Sequence, residues 1–505
     1  MPVAAQGPCG TVDSISPPLD PAEFRLAYPF GRPSSRFDGR YHAGDDWVKG
    51  RTTTYGAPVQ AIAKGRITYS APWGWGRDKG IVIIEHILPD GTWWYSLYGH
   101  MEEVNGHNFP PIHTCVDEGD IIGAIGRPRP APHLHFEIRN FSPDAPGPGY
   151  WSTNPIYSGW RNPAKFIANW QGWLHPAYRW HAELTEESGP QEPAIMREDG
   201  AAIVFDDGRL KALTNGGQIL WRYILPEDLD IVRVLPYQGQ ILVVDRTGIM
   251  QLWRIAGGFL ETWQLPESAI DTAHVWEDMI VIHTAADELV AYGPDRAERW
   301  RVADIPQPLD LQNTRQMLAV MSSRQRLTFL GLDGRVYSTA TLRGTGDLAP
   351  APGGGFYVRT QTALWHVDNT GAWHRLAEAP TAQPHRSTLT SLPDGRFFLT
   401  DGQRDQTLYA YDSGGQQLWA TPLPTLKSKA FMLVPEPDGP LLLADGWGQI
   451  ILVDPQTGTV CHEMSVWGSR RGNAWAGLGP DNILRLHISD QLLGLDWETL
   501  RASCP

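Results

Sequence analysis

The sequence has 505 residues, of which 42% are hydrophobic and 19% charged, and its formal net charge is −14. This length exceeds that of one ordinary domain, so two or three domains are expected. The acidic balance, most of which falls after residue 170, disfavours nucleic acid or an anionic membrane as a partner. No apolar run approaches the roughly 18 residues of a membrane span, and the start MPVAAQGPCG shows no signal peptide.

Two segments early in the chain combine histidine with residues that suit metal binding or catalysis. RYHAGDDWV places His42 four residues before Asp46, and a tight, glycine-bearing turn can bring such a pair onto one cation. Asp45 could replace Asp46, and a plain polar loop is the alternative for the whole segment. YSLYGHM then places His100 two residues after Tyr98, at the end of a probable strand.

The stretch APHLHFEIRN, residues 131–140, predicts a β-strand with two chemically different faces. Successive side chains of a strand point to opposite faces, so His133 and His135 share one face while Leu134 and Phe136 share the other. The pattern suits half of a metal site, whose other ligands must come from elsewhere. A strand with two chance histidines is the alternative.

These segments occur in an order that resembles a known enzyme family. The order is FG-x-R, H-x-G-x-D, GAPVQAIAKGRI, GIVIIEH, WYSLYGHM, VDEGDIIGAIG, HLHFEI and NPAKFI. It resembles the LytM/lysostaphin-type zinc peptidases of family M23, over a stretch from about Tyr28 to Ile167. The resemblance implies an antiparallel β-sheet peptidase domain over residues 1–170.

The site implied by this resemblance holds one zinc ion, Zn²⁺, with His42, Asp46 and His135 as ligands. His100 and His133 would be the catalytic histidines. Two imidazoles and one carboxylate leave a fourth tetrahedral position open for water, as in catalytic zinc sites. The ion lowers the pKa of that water from about 15.7 toward about 7. His133 is then placed to take the proton, and His100 to stabilise the oxyanion or orient the water.

Other polar residues of this half are expected to be structural. His86 ends the apolar strand IVIIEH, and Glu137 is expected to make a hydrogen bond or ion pair. His107 and His113 fall in the loop NGHNFPPIHTC, where exposure is expected. The loop GRPRPAP before the H-x-H strand is shorter and stiffer than the Gly/Ser/Thr-rich loop usual in the family. The glycine-rich substrates of lysostaphin-like enzymes therefore do not follow from the resemblance.

The second half of the sequence is repetitive. Residues 171–198 predict a linker, because their C-terminal part is polar and contains proline. After it, units of two apolar strands, a glycine turn and an aromatic ending begin at residues 201, 239, 278, 316, 354, 395, 439 and 481. The recurring aromatic residues are Trp221, Trp263, Trp300, Tyr337, Trp373 and Trp419.

A period of roughly 40 residues is typical of four-stranded propeller blades. Residues 199–505 therefore predict a β-propeller with eight blades, or seven if the first and last units share one. Segments such as LYAYDSGGQQLW resemble the quinoprotein (PQQ-like) repeat, which implies the fold and a binding platform. A quinone-dependent oxidoreductase is disfavoured, since the sequence has no C-x-x-C-H motif and no adjacent cysteine pair.

The four cysteines lie at positions 9, 115, 461 and 504, two in each half. Two disulfides in an oxidising compartment are one reading, and four unpaired buried thiols are the other. A bond between Cys9 and Cys115 would crosslink the peptidase-like domain. Cys461 and Cys504 occupy equivalent ends of neighbouring repeats, and a disulfide requires Cα atoms about 4.4–6.8 Å apart. Their bond would require the C-terminal tail to bend inward.

The fold class predicted is therefore all-β, with a LytM/lysostaphin-like domain followed by a propeller. The resemblance implies an extracellular or envelope zinc metalloendopeptidase that hydrolyses peptide bonds of bacterial peptidoglycan. The propeller would bind a wall component or a protein. The alternative is a catalytically inactive binding protein that regulates another cell-wall hydrolase, which the complete set of candidate ligands disfavours.

Overall fold

The computed structural model describes residues 9–50, 53–184, 195–197, 200–206, 208–342, 347–380, 387–403, 405–436, 438–468 and 474–504. The chain divides into two compact units, with the main boundary between His175 and Pro176 and with Ser465–Trp467 grouped with the first unit. The regular secondary structure of both units is almost entirely β-strand, which confirms the predicted all-β class. None of the helices in the described ranges has the length and apolar character that crossing a membrane would need.

The first unit is built on one ten-stranded antiparallel sheet, in which the main path runs β1-β3-β10-β7-β6-β5-β8. β4, β9 and β12 extend this sheet, and β2 pairs with β11 beside it. The strands are β1 (Arg25–Tyr28), β2 (Tyr41–His42), β3 (Asp45–Val48), β4 (Pro58–Gln60), β5 (Gly65–Ala71), β6 (Gly80–Ile87), β7 (Trp93–Glu102), β8 (Cys115–Val116), β9 (Ile121–Ile125), β10 (Leu134–Arg139), β11 (Tyr150–Trp151) and β12 (Trp160–Arg161). Three 3₁₀ turns cover Ser35–Phe37, Gly76–Asp78 and Pro155–Ser158.

β10 lies between β3 and β7 and is buried on both faces. Leu134, Phe136 and Ile138 belong to the main apolar core of this unit. Helix α1 (Pro163–Trp173) contributes to the same core, and it begins where the side chain of Asn162 accepts a hydrogen bond from the backbone. The other face of β10 is polar, and it carries the candidate site.

The second unit is a ring of eight four-stranded antiparallel sheets, which confirms the eight-bladed prediction. The strands are β13 (Tyr178–Glu183), β14 (Ile195–Met196), β15 (Ala202–Asp206), β16 (Arg209–Leu213), β17 (Ile219–Ile224), β18 (Ile231–Tyr237), β19 (Gln240–Asp245), β20 (Ile249–Arg254), β21 (Phe259–Gln264), β22 (Ile270–Trp276), β23 (Met279–Thr284), β24 (Glu288–Tyr292), β25 (Glu298–Val302), β26 (Pro308–Asn313), β27 (Met317–Ser322), β28 (Arg326–Gly331), β29 (Val336–Thr341), β30 (Asp347–Pro350), β31 (Phe356–Arg359), β32 (Ala363–Val367), β33 (Trp373–Glu378), β34 (Leu389–Ser391), β35 (Phe397–Thr400), β36 (Gln406–Tyr411), β37 (Gln417–Leu423), β38 (Ala430–Leu433), β39 (Leu441–Asp445), β40 (Gln449–Val453), β41 (Val460–Ser465), β42 (Ala474–Leu478), β43 (Ile483–Ile488) and β44 (Gln491–Asp496). The first strands of successive sheets contact one another, from β18 through to β42, so they form the inner wall of the ring.

The recurring aromatic residues lie on outer strands. Four of the six, Trp221, Trp300, Tyr337 and Trp419, pack on the glycine of the last turn of the following blade. A Cβ on Gly257 would lie 3.1 Å from the Trp221 ring, and one on Gly334 would lie 2.7 Å from Trp300. Because a side chain on the glycine would clash with the ring, the glycine turn and the aromatic ending are needed together at these junctions.

The predicted linker is shorter than residues 171–198. α1 continues to Trp173, and β13 pairs with β44 as the outer strand of the last blade. Trp180 on β13 packs on Gly217 of the first blade, as Trp221 packs on Gly257 and Trp300 on Gly334. The ring is thus closed by a strand from its N-terminal end. Residues 185–194, the polar and proline-bearing part of the predicted linker, lie outside the described residues.

Both cysteine pairs form disulfides, Cys9 with Cys115 and Cys461 with Cys504. The Cα atoms of the second pair are 5.0 Å apart, so the two positions are not too distant to bond. The last repeat has no fourth strand of its own after β44, because helix α2 (Trp497–Arg501) follows instead. Cys504 therefore does not occupy the strand position equivalent to that of Cys461.

Candidate metal centre

The candidate ligands come from two neighbouring strands and from the turn before one of them. Asp46 on β3 is the direct cross-strand partner of His135 on β10. His42 ends β2, and the turn between β2 and β3 contains Gly44. A Cβ on Gly44 would lie 2.3 Å from the carbonyl oxygen of Phe136, so only glycine lets this turn lie against β10. This contact explains the glycine of the H-x-G-x-D segment.

Three donor atoms converge at this point. Nε2 of His42 lies 2.9 Å from Nδ1 of His135, and Oδ1 of Asp46 lies 3.1 Å from each of these nitrogens. Ligand atoms bound tetrahedrally to zinc at about 2.0–2.1 Å are about 3.3–3.4 Å apart, so a slight widening of this triangle would admit the ion. Among the described residues, no other group of three histidine, cysteine or acidic side chains brings its donor atoms together in this way. The donor set fits zinc.

A buried carboxylate fixes the orientation of His135. Oε1 of Glu137 accepts a hydrogen bond from Nε2–H of His135 at 2.9 Å, and Oε2 accepts one from the indole of Trp160 at 2.8 Å. This bond leaves the lone pair of His135 on Nδ1, facing the other two ligands, which is the tautomer that a metal ligand needs. Glu137 thus makes the structural hydrogen bond that the sequence predicted.

Burial and hydrogen bonding act on the pKa values of the three ligands. Burial lowers the pKa of His42, against the opposing effect of a hydrogen bond that its ring donates to Asp46. Burial also acts to lower the pKa of His135, but hydrogen bonds to Asp46 and Glu137 outweigh it and raise the value to about 9. For Asp46 burial acts to raise the pKa, and the hydrogen bonds of both imidazoles hold it well below its usual range. A cation therefore competes with a proton for Nδ1 of His135.

The two remaining histidines lie beside these ligands, with the ring centres of His100 and His133 4.5 Å apart. Nδ1–H of His100 donates to the carbonyl of Asp78 at 2.7 Å, and Nδ1–H of His133 donates to the carbonyl of Ala131 at 2.9 Å. A carbonyl can only accept, so each ring keeps Nε2 as a proton acceptor. Nε2 of His133 lies 3.7 Å from Oδ2 of Asp46, close to the ligand triangle.

The backbone at His100 has a φ of 63°, a value uncommon for a residue other than glycine. The carbonyl of His100 accepts a hydrogen bond from the N–H of Gly126 at 2.7 Å, which supports this conformation. Burial, followed by the nearby His133, lowers the pKa of His100 to about 3. The imidazole of His100 is therefore neutral at physiological pH.

A groove of about 300 Å³ lies over the centre, and sequence reasoning did not identify three of its wall residues, Trp75, Asp78 and Tyr150. The indole N–H of Trp75 donates to the carbonyl of Gly147 at 2.8 Å, which joins two walls. The Trp75 ring packs on Gly99, where a Cβ would lie 2.2 Å from it. The only sequence signal for Trp75 is its place between glycines in WGWG, which indicates a packed turn but not its location.

Arg139 holds the wall that carries Tyr150. Its side chain is fully buried on the polar face of β10, and its guanidinium donates to the carbonyls of Ser142, at 2.8 Å, and Ala145. The same guanidinium lies 3.5 Å from Oε2 of Glu137. One buried cation therefore connects the support of the His135 ligand to the loop that borders the groove.

Asp45, the alternative ligand, is turned away from the centre. Its Oδ1 accepts a hydrogen bond from the N–H of Phe30 at 2.8 Å, and burial raises its pKa to about 6. It does not belong to the converging group.

The other histidines of this unit lie apart from the centre. His86 bonds to the carbonyl of Lys64 at 2.8 Å and to the hydroxyl of Ser96 at 2.7 Å, and burial lowers its pKa to about 4, so it is structural as predicted. His113 is exposed as expected, whereas His107 is half-buried.

Residues 40–146 match the model of Peptidase family M23. The first unit contains an M23 peptidase domain. The match covers all five candidate residues, from His42 to His135. A comparison with curated proteins finds no match to this chain.

Several solved structures are similar to the chain. Sqt1 from Chaetomium thermophilum has a TM-score of 0.51 and 11% identity, covering 64% of this chain and 99% of its own. The computationally designed Ika8 protein has a TM-score of 0.50 and 15% identity, covering 62% and 98%. BamB from Moraxella catarrhalis has a TM-score of 0.46 and 16% identity, covering 63% and 99%. At such identities the similarity concerns the fold alone.

Proposed function

We propose that the chain is a zinc metalloendopeptidase that hydrolyses peptide bonds of bacterial peptidoglycan, with the propeller as its binding and targeting platform. The observation that carries this proposal is the convergence of His42, Asp46 and His135 beside two histidines that keep Nε2 as an acceptor. The M23 domain supports peptidase chemistry. Peptidoglycan is the substrate class implied by the resemblance to LytM/lysostaphin-type enzymes.

Zinc held by His42, Asp46 and His135 would supply a Lewis acid for the scissile carbonyl and would lower the pKa of water. His133 can accept a proton at Nε2, because its Nδ1–H is already committed to a carbonyl, and can return that proton to the leaving amine. Neutral His100 has the same tautomer, so its Nε2 can orient a water through an accepted hydrogen bond. Stabilising an oxyanion would instead need an N–H at that atom, so the water-orienting role is favoured for His100.

The two disulfides support an oxidising compartment, so we place the protein outside the cell or in the envelope. The propeller is the proposed site of attachment to a wall component or a partner protein. It has its own cavity of about 620 Å³, lined by residues of the first strands of four consecutive blades. Sedimentation of the full chain with purified sacculi, with and without zinc, measures this attachment separately from cleavage.

The proposed activity is tested by incubating the zinc-loaded chain with peptidoglycan sacculi and following the release of free amino groups. We expect release by the wild type, loss of release with a chelator, and recovery on adding zinc. His135→Ala should be inactive. His107→Ala, a histidine of the same unit outside the centre, is the matched control and should behave as the wild type.

A wild-type chain that binds one zinc ion and still releases no amino groups would contradict the proposed hydrolysis. That result would favour the alternative of a binding protein that regulates another hydrolase. Stimulation of a separate cell-wall hydrolase by the same preparation would then be measured directly.

A further inference from the structure

Two arginines border the groove on different walls, Arg129 beside Asp78 and Arg36 beside Phe37. Nε of Arg129 lies 3.9 Å from Oδ1 of Asp78, which is beyond hydrogen-bond distance, and its side chain is 65% exposed. The guanidinium of Arg36 lies 5.4 Å from the centre of the Phe37 ring. Both guanidiniums therefore keep donors available for a ligand in the groove.

The loop that carries Arg129 is stiff. Pro128 and Pro130 flank it, and His133 follows four residues later. Proline fixes φ, so little conformational entropy is lost when this loop is ordered against a ligand. Arg129 is thus presented from a rigid segment close to a candidate catalytic residue.

The side chains of the groove wall carry a net positive charge. Asp46 is committed to the ligand triangle, so Asp78 alone opposes the charges of Arg36 and Arg129 in the wall. A guanidinium offers two parallel N–H donors that match the two oxygens of a carboxylate. An uncharged, glycine-only peptide has nothing to pair with them.

Resting on the proposed peptidase function, we propose that the groove selects peptides with a free carboxylate next to the scissile bond. Arg129 binds that carboxylate, and Arg36 adds a second positive charge. The same wall that departs from the family pattern in sequence, GRPRPAP, thereby sets the specificity of this enzyme.

The test uses pairs of cross-linked stem peptides that differ in one group, a carboxylate next to the scissile bond that is free in one peptide and amidated in the other. Two such pairs are made. In one pair the carboxylate belongs to the residue before the scissile bond, and in the other it belongs to the residue after it. We measure kcat/KM for the wild type, Arg129→Gln, Arg129→Lys and Arg36→Gln. Arg77→Gln is the control, because Arg77 is an exposed arginine next to Asp78 in the Gly76–Asp78 turn and does not line the groove.

For one of the two positions, the wild type should prefer the free carboxylate by about tenfold, a size typical of a partly exposed charge-assisted contact. The preference should vanish in Arg129→Gln, fall in Arg129→Lys and Arg36→Gln, and persist in Arg77→Gln. Equal kcat/KM values for the wild type on both members of both pairs would overturn the proposal, as would an undiminished preference in Arg129→Gln.

Failure of the proposed hydrolysis is a separate outcome. If the wild type cleaves neither peptide, calorimetry on the zinc-loaded chain still gives the ratio of the two dissociation constants. A ratio near one overturns the carboxylate proposal, whereas a preference that depends on Arg129 supports it even though hydrolysis has failed.

Discussion

Replacing Glu137 with glutamine should weaken zinc binding without removing a ligand. In the wild type the two carboxylate oxygens serve two donors, Nε2–H of His135 at 2.9 Å and the indole N–H of Trp160 at 2.8 Å. Glutamine has one oxygen and one amide nitrogen. It can therefore accept from only one of these donors, and its amide hydrogens face the other.

The size of the effect follows from this geometry. Mutating the hydrogen-bond partner of a metal-ligating histidine lowers metal affinity by about 10–100-fold, which corresponds to about 1.4–2.7 kcal/mol of binding free energy. Glu137 is fully buried, so solvent does not screen its interaction with His135, and the variant also leaves the guanidinium of Arg139 without its nearby charge. We therefore expect a loss near the upper end, about 100-fold.

Competition with a chromophoric chelator measures the zinc dissociation constant of Glu137→Gln. Glu85→Gln is the matched control, because Glu85 is another buried carboxylate of the same sheet and pairs with Arg66 at 2.9 Å away from the ligands. Circular dichroism reports whether each variant is folded. A folded Glu137→Gln that binds zinc as tightly as the wild type would refute the reasoning, and so would an equal loss in the control.

Three further predictions concern catalysis, blade packing and pH. His133→Ala should lower kcat by about 10²–10⁴-fold and retain zinc, and loss of zinc would contradict its role. Gly334→Ala, whose Cβ would lie 2.7 Å from Trp300, should lower the propeller's Tm more than Gly353→Ala, which has a φ of 86° and open space. Burial raises the pKa of Asp347 to about 7. Between pH about 4 and 7 the folded state therefore binds a proton that the unfolded state has lost, so the free energy of unfolding falls as the pH rises through this range. Asp347→Asn should flatten that slope in thermal unfolding, and an unchanged slope would contradict this.

The sequence was informative about the residue types of the site but not about their register. Both Asp45 and Asp46 were possible ligands, because the choice depends on how β3 pairs with β10. The observed register places Asp46 opposite His135. A shift of one residue would turn Asp45 to that face instead. The hydrophobic pattern alone does not fix the register of such a short strand, so the sequence allows either Asp45 or Asp46 as the ligand.

The propeller shows the opposite case, in which a sequence signal was present but assigned to the wrong element. Trp180 stands 41 residues before Trp221, within the range of 36 to 46 residues that separates the other aromatic endings. The strand that carries it falls within the predicted linker, residues 171–198, because that prediction rests on the polar and proline-bearing C-terminal part of the segment. The missing strands of that blade are at the other end of the chain, where β44 pairs with β13.

The groove walls depend on contacts that no local pattern contains. Trp75 takes its place through the carbonyl of Gly147, and the loop that holds Gly147 is in turn tied to Arg139. Arg139 also stands next to Glu137, which orients the His135 ligand. The polar face of β10 is thus a continuous buried path from the ligand triangle to the groove wall. Because removing one partner of a buried charged pair leaves the other uncompensated, a change at Arg139 would disturb both ends of this path. We therefore expect a change at Arg139 to alter metal affinity and groove shape together.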